Sequence, residues 1–368
     1  MASYETVSEL SDSFLERSTY GIRQDHKEAA LAPALHDLTR HHAGNCPDYG
    51  RMVGAAYPGW ESGSGLGAVP FIPISMFKQR SLGSVPESAI FKTLTSSGTT
   101  GSEVSRILLD RPTAQRQTRA LASVMRHILG VERRPMLIID SSSILRDRKQ
   151  FSARGAGIVG LMNFGRNHTY LLDSAFRPDA DRLEEFATKH RGEAIFIFGF
   201  TFMVWRHLIK DLAATPLDLS NAVLVHSGGW KKLEEERVDN GEFRRVLAEG
   251  FGIRHVYNFY GMVEQVGGVF IEGDDGLLHP PAFGDVIVRH PRTWKEQPVG
   301  EEGVLQVVSV LPTSYPGHSV LTEDLGVVEA IDSSATAHLG KAFRVVGRVP
   351  QADLRGCSDT YASMLSAA

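Results

Sequence analysis

Between Pro135 and Gly261 the sequence alternates short runs of consecutive apolar residues with amphipathic stretches. That alternation limits the fold more than any other feature. The runs MLIID (136–140), TYLLD (169–173), AIFIFG (194–199), AVLVHSGG (222–229) and RHVYNFYG (254–261) each have the length of a strand and are apolar on both faces. Between them, 178–190 and 242–249 carry helical spacing, and the sequence predicts a further helix after Gly199 through Leu208. Asp239-Asn240-Gly241 is a helix-start signal for the second of these. Strands that bury both faces and are separated by helices belong to a mostly parallel, covered sheet.

The flanks read differently. The first sixty residues show helical spacing, with Leu31, Leu35 and Leu38 on one stripe. Pro112 to Gly130 is a further helix, with Leu121, Val124, Met125 and Ile128 in register. After Gly267 come GVFIEG, DVIVRH, GVLQVVSV, GVVEA and FRVVG, strand-like and divided by Gly, Pro and Asp turns. The expected organisation is an α/β core with an N-terminal helical segment over 1–266, a smaller antiparallel β-rich subdomain over 267–348, and a tail, 349–368, too short to fold alone.

Composition narrows the function classes. The 368 residues are 42% apolar, and 39 basic against 43 acidic side chains leave a net charge of −4. A nucleic-acid binder needs a basic face, so none is expected as a partner. Two cysteines, Cys46 and Cys357, make neither a disulfide framework nor a zinc cluster. The start, MASYETVSELSDSFLERS, is polar and acidic, unlike a signal peptide. The longest apolar run, Ala194 to Trp205, is too short for a membrane span and is broken by Gly199 and Thr201. A soluble cytoplasmic protein without a membrane partner is expected.

Two glycine clusters compete as ligand loops. Gly155-Ala-Gly157-Ile-Val-Gly160 matches the dinucleotide fingerprint as a string, but follows a charged stretch instead of a strand. A glycine-rich turn is the expectation there. Thr95 to Ser105, TSSGTTGSEVS, packs hydroxyl residues around glycines. Backbone N–H groups and hydroxyls in such a loop wrap phosphate oxygens; a plain flexible loop has the same composition.

Further motifs, in order, decide between these. SSGTTG resembles the phosphate-binding loop of the adenylate-forming enzymes, the acyl-CoA synthetases, luciferase-like ligases and nonribosomal adenylation domains. HSGGW (226–230) is similar to their adenine-supporting turn, YNFYGMVEQ (257–265) to their Tyr-Gly-x-x-Glu motif, LTEDLG (321–326) to Thr-x-Asp-Leu, and VVGRV (345–349) to the Gly-Arg motif closing the large domain. The resemblance implies an α/β fold, the adenylate-forming N-terminal large domain of helix-packed sheets plus a smaller β subdomain. It implies an enzyme joining a carboxylate to the α-phosphate of ATP. In it Ser96, Ser97, Gly98, Thr99, Thr100 and Gly101 cradle the β- and γ-phosphates. Ser227, Gly228, Gly229, Tyr260 and Gly261 flank the adenine and α-phosphate region, Asp324 accepts from the ribose, and Arg348 steadies the ribose or α-phosphate. Glu264 holds Mg2+, a hard cation that takes oxygen ligands. Taken singly, Glu264 reads as a solvated surface residue, Asp324 as a turn residue, and Arg348 as the cap of a strand end or half of a surface ion pair. Phe198, Phe200, Phe202 and Trp230 are core aromatics or the wall of a pocket for an apolar acid. His226, His255 and His318 are expected at core edges or in loops, with no role as a base, because a carboxylate is already ionised at neutral pH.

The sequence departs from most relatives in three places. Ser102-Glu103 replaces the usual Pro-Lys of the phosphate loop, with Arg106 as the nearest cation beyond it; the mobile C-terminal lid domain is missing; and Cys357 lies near the end in RGCSDT. These narrow the resemblance to the short acyl-protein synthetase family of bacterial luminescence, whose members load a fatty acid on their own C-terminal cysteine for an aldehyde-forming reductase. That family includes a ligase of phenazine antibiotic biosynthesis, which this chain resembles in length and in lacking the lid. The expectations are ATP and Mg2+ as cofactors, Cys357 as acyl acceptor or an incidental small residue beside Arg355, Cys46 as a structural thiol, and a reductase partner. The substrate is expected to be an apolar or aromatic carboxylic acid, with a phenazine carboxylate preferred and a fatty acid as the alternative. A non-catalytic nucleotide- or acyl-binding subunit is the reading from a different class.

Overall fold

The computed structural model describes residues 4–95, 104–145, 153–213, 217–230, 235–333 and 337–349. The chain forms two compact units, one of 125–260 and one of 1–124 with 261–368. This division differs from the expected segmentation at 266 and 348, because the N-terminal helices group with the late strands.

Unit 125–260 is the parallel sheet that the apolar runs predict. Its strands lie in the order Gly165–Leu172, Arg134–Ser141, Ile195–Phe200, Ala222–Ser227, His255–Tyr260, each parallel to its neighbour. Helices Ala180–Lys189 and Asn240–Phe251 start where Asp179 and Asp239 accept the backbone N–H three residues on. One side of the sheet carries a core of Leu137, Ile139, Ile197, Leu224 and Val256 against Leu183, Phe243 and Leu247. The helix after Gly199 starts as Thr201–Met203 and widens into a π-helical stretch, Val204–Lys210.

Gly155–Gly160 corrects an expectation. The segment is not a turn but the body of a helix, Ala153–Met162. A helix running through all three glycines leaves no glycine turn for a pyrophosphate, so the dinucleotide fingerprint is a coincidence of letters.

Unit 1–124 with 261–368 is built from both ends of the chain. Helices Tyr4–Ser13, Gln24–Asn45, Pro47–Ala56 and most of Arg111–Leu129 accompany an antiparallel sheet. Its order is Gly284–Arg289, Glu302–Ser309, Ser319–Ile331, Lys341–Arg348, Leu278–His279, Phe270–Glu272, with Ile72–Pro73 added parallel to Ser319–Ile331. A separate ribbon pairs Lys92–Thr95 with Arg106–Leu109. Asp324 lies inside the long strand Ser319–Ile331, so the turn reading of that residue fails. Among the described residues no helix is long and apolar enough to cross a membrane.

Candidate functional site

The hydroxyl-rich loop joins the two strands of the ribbon, with Thr95 directly opposite Arg106 at its mouth. Ser96, Ser97, Gly98, Thr99, Thr100 and Gly101 themselves lie outside the described residues, as do Ser102, Glu103, Arg355 and Cys357. The end of the loop is described. Ser105 is buried, and its side chain lies near enough to the Glu264 carboxyl to lower the pKa of that group.

Glu264 sits in the 3-10 turn Val263–Gln265 that follows strand His255–Tyr260, and is 4% exposed. Burial pushes its pKa above the ordinary carboxylate value. The Ser105 hydroxyl and the Lys78 ammonium oppose that shift, and the Glu323 carboxylate adds to it. The solvated-surface reading of Glu264 is therefore excluded. Asp324, next to Glu323, faces Arg348 across the strand pair Ser319–Ile331 and Lys341–Arg348, with Arg348 Nε 3.5 Å from Asp324 Oδ1. The Arg348 side chain is 79% exposed and that of Asp324 20%, so the pair presents a guanidinium to solvent. Thr322 Oγ1 accepts the Asp324 N–H at 3.1 Å and fixes the strand there.

Four segments that the sequence singles out belong to one unit: the end of the loop at Ser105, the turn at Glu264, the Glu323–Asp324 pair, and Arg348, the last two in contact at 3.5 Å. Lys78 and Ser105 were missed as members. Ser105 closes the quoted hydroxyl run and was legible in it; Lys78, on the short helix Met76–Gln79, carries no motif.

In unit 125–260, strand Ala222–Ser227 ends at Ser227, and Gly228 follows with φ of +81°, while Gly229 leaves open space at its Cα. Tyr260 ends strand His255–Tyr260 and is half-buried, and Gly261 follows it. His226 is buried, with Nδ1 2.9 Å from Thr201 Oγ1, and burial lowers its pKa to about 3. It is a neutral core histidine. His318 is likewise buried, and His255 is exposed.

The aromatic group divides. Phe198 is fully buried, edge-on to Phe200 at 5.6 Å and stacked with Phe259 at 6.4 Å. Trp230 packs edge-on to Trp205 at 5.2 Å and against Phe243 at 6.2 Å, as part of the core. Cys46 is a buried free thiol whose pKa burial raises, which makes it a poor nucleophile.

Similarity to known proteins agrees with this set of motifs. The family described as "Acyl-protein synthetase, LuxE" matches residues 3–366. The chain belongs to this acyl-protein synthetase family. Two relatives are the long-chain-fatty-acid–luciferin-component ligases of Vibrio harveyi and Aliivibrio fischeri, each 24% identical, over 80% and 81% of this chain and 77% and 79% of their own. A crystal structure of 2-hydroxyisobutyryl-CoA ligase, in an open conformation with 2-HIB-AMP and CoA, superposes with a TM-score of 0.67 at 16% identity, covering 89% of this chain and 76% of that one. That likeness establishes the fold as that of an adenylate-forming ligase. The LuxE membership makes the chain a ligase of the acyl-protein synthetase type. The names of the two relatives favour the fatty-acid alternative over the phenazine carboxylate.

Proposed function

We propose that this LuxE-family ligase activates a long-chain fatty acid with ATP and passes the acyl group on as a thioester. The supporting observation is the Glu264 carboxyl, buried at the end of the hydroxyl-rich loop and next to the Glu323–Asp324 pair. The substrate class follows the names of the two curated relatives.

In this reading the fatty carboxylate oxygen attacks the α-phosphorus of ATP. The bond to the β-phosphate bridge breaks, pyrophosphate leaves, and acyl-adenylate remains. The loop 96–101 and Ser105 hold phosphate oxygens, Asp324 accepts from the ribose hydroxyls, and the exposed Arg348 guanidinium supplies fixed positive charge. The donor set suits Mg2+ shared with phosphate: one buried carboxylate and one hydroxyl, with no cluster of three acidic, His or Cys ligands among the described residues. Such an ion screens the phosphate charge. Cys357, as thiolate, then attacks the acyl carbonyl; AMP leaves, the thiol proton goes to solvent, and the thioester is the form handed to a reductase.

The test is fatty-acid-dependent exchange of pyrophosphate into ATP. We expect exchange with a long-chain fatty acid, none with a phenazine carboxylate, and a loss of at least about a hundredfold in Glu264→Gln. Nucleotide binding without exchange for any acid would instead identify a non-catalytic binding subunit. Cys357→Ser should leave exchange intact and abolish the covalent acyl-protein seen with radiolabelled fatty acid.

A further inference from the structure

The turn that carries Glu264 is held by a second set of residues, of which Tyr315 and Gln117 belong to no motif of the family resemblance. Tyr315 is fully buried, and its hydroxyl donates to the Glu264 carbonyl at 2.9 Å. Gln117, from the helix Arg111–Leu129, donates from Nε2 to the same hydroxyl at 3.4 Å. Next to Glu264, the buried Gln265 side chain donates to the carbonyls of Val307 at 3.0 Å and Gly317 at 2.8 Å.

Two glycines make the approach possible. A Cβ on Gly317 would strike the Tyr315 ring and lie 2.6 Å from the Glu264 carbonyl oxygen. A Cβ on Gly267, at φ of +82°, would lie 2.5 Å from the Gln117 carbonyl oxygen. Segment 315–317 is thus pressed against Glu264 at Gly317, and the turn against the helix at Gln117 through Gly267, with no room for a side chain at either glycine.

We propose that Tyr315 is the positioning residue of the nucleotide site: through its hydroxyl bond to the Glu264 carbonyl it fixes where the Glu264 carboxylate meets the metal-bound phosphates. This rests on the reading of Glu264 given above. A 3-10 turn of three residues makes few bonds of its own, so the direction of its side chains depends on outside anchors. Tyr315 gives its only donor to the one carbonyl that orients Glu264, and spends it far from the protein surface. A tyrosine needed for packing alone would be replaceable by phenylalanine, because the ring already packs edge-on to Phe77 at 6.2 Å.

The experiment uses Tyr315→Phe in the full chain, which keeps the ring and removes the donor. Two readouts are taken. The first is the rise in unfolding temperature caused by ATP with Mg2+, compared with ATP in EDTA. The second is pyrophosphate exchange as a function of Mg2+ and of fatty acid. We expect Tyr315→Phe to lose the Mg2+-dependent part of the ATP stabilisation and keep the part seen in EDTA. We expect its half-saturating Mg2+ to rise about tenfold, the loss of one buried hydrogen bond, with the fatty-acid KM unchanged. Gln117→Ala, which removes the anchor of the hydroxyl, should show the same pattern at about threefold. A folded Tyr315→Phe with the wild-type Mg2+ response, while Glu264→Gln loses it, overturns the positioning role alone. An unaltered Mg2+ response in Glu264→Gln overturns the nucleotide reading of Glu264 and this proposal with it. If Tyr315→Phe does not fold, Gln117→Ala decides by the same criterion.

Discussion

The two units of this protein bury different chemistry. Unit 125–260 is continuous in sequence and has an aliphatic and aromatic core, Leu137, Ile197, Leu224, Phe243 and Leu247 among its members. The other unit joins two distant parts of the chain and buries charged and polar groups between them. Lys27 is buried, with Nζ 3.0 Å from the Pro280 carbonyl and 3.9 Å from Asp285, and Gln24 donates to Asp285 at 2.8 Å. Arg116, its side chain fully buried, reaches the Leu311 carbonyl, Thr313 and Ser8. His41, His42 and His318 lie buried together, His42 and His318 stacked at 4.9 Å. Apolar contacts are forgiving in direction, whereas a buried hydrogen bond is lost with small displacements. The parallel sheet is thus specified mainly by pattern, with Asp140–Arg154 and His226–Thr201 as its partnered polar groups, while the unit that holds Glu264 depends more on individual partners.

The sharpest way to break this comparison is to remove one partner from each kind of core. Asp285→Asn leaves the Lys27 ammonium buried without its counter-charge; burial already lowers that pKa to about 8 even with Asp285 present. We expect a loss of about 3–5 kcal/mol in urea unfolding, and recovery of much of it in Lys27→Met with Asp285→Leu. Leu224→Ala in the parallel sheet should cost about 2–5 kcal/mol, with no second substitution that restores it so simply. If Asp285→Asn costs less than about 1 kcal/mol, the ionic core is not what holds the two chain segments.

Acid should separate the units next. Burial lowers the pKa of His318 to about 3, that of His42 well below its ordinary value, and that of His41 to a lesser degree. His42 faces Ser84, the Pro312 carbonyl and the rings of His41, Tyr49 and His318; His41 also feels Asp110. An unfolded histidine takes up a proton below about pH 6.5 and these do not, so the unfolded state binds more protons and stability falls as pH drops. Full stability is present above pH 6.5 and is lost progressively below it, by about 2 kcal/mol at pH 5 for each histidine that stays neutral. In unit 125–260, the pKa values of the buried His226 and of His127 are lowered in the same way. We expect pulsed hydrogen exchange after incubation at pH 5 to show 24–45 and 310–319 opening before 134–141 and 195–200. The reverse order would contradict the comparison.

The same contrast explains what the sequence made legible. In the parallel sheet the signals are local: apolar runs mark strands, and Asp239-Asn240-Gly241 marks a helix start that the structure contains. The nearness of Ser105 to Glu264, by contrast, joins residues far apart in the chain, and no local pattern announces it. Lys78, Gln117 and Tyr315 carry no pattern, because a single hydrogen bond formed across the chain leaves no periodicity behind. The expected glycine turn at 155–160 failed for a related reason. Burial of Ile158 and Leu161 against the rest of the fold overrides the local signal of three glycines, although each costs up to about 1 kcal/mol against alanine.

Helix caps give the finest version of the test, because one kind of bond is made locally in one unit and remotely in the other. The helix Gln24–Asn45 has no cap from its own flank; Arg23 makes none. Instead the Asp332 carboxylate accepts the Gln24 N–H at 2.9 and 3.2 Å, and also accepts the Gly340 N–H at 2.9 Å. Asp332→Ala thus removes a cap and a turn bond together, and leaves an alanine at φ of +52°. We expect a loss of about 2 kcal/mol, less for Asp332→Asn, which keeps an acceptor and tolerates that backbone. Asp239 caps Asn240–Phe251 through the Glu242 N–H alone, at 2.8 Å. Asp239→Ala should cost about 1 kcal/mol, and its effect on exchange should stay within 240–251. If Asp332→Ala is also felt only near residue 332 and not at the start of the helix 24–45, the remote cap contributes no more than an ordinary surface contact.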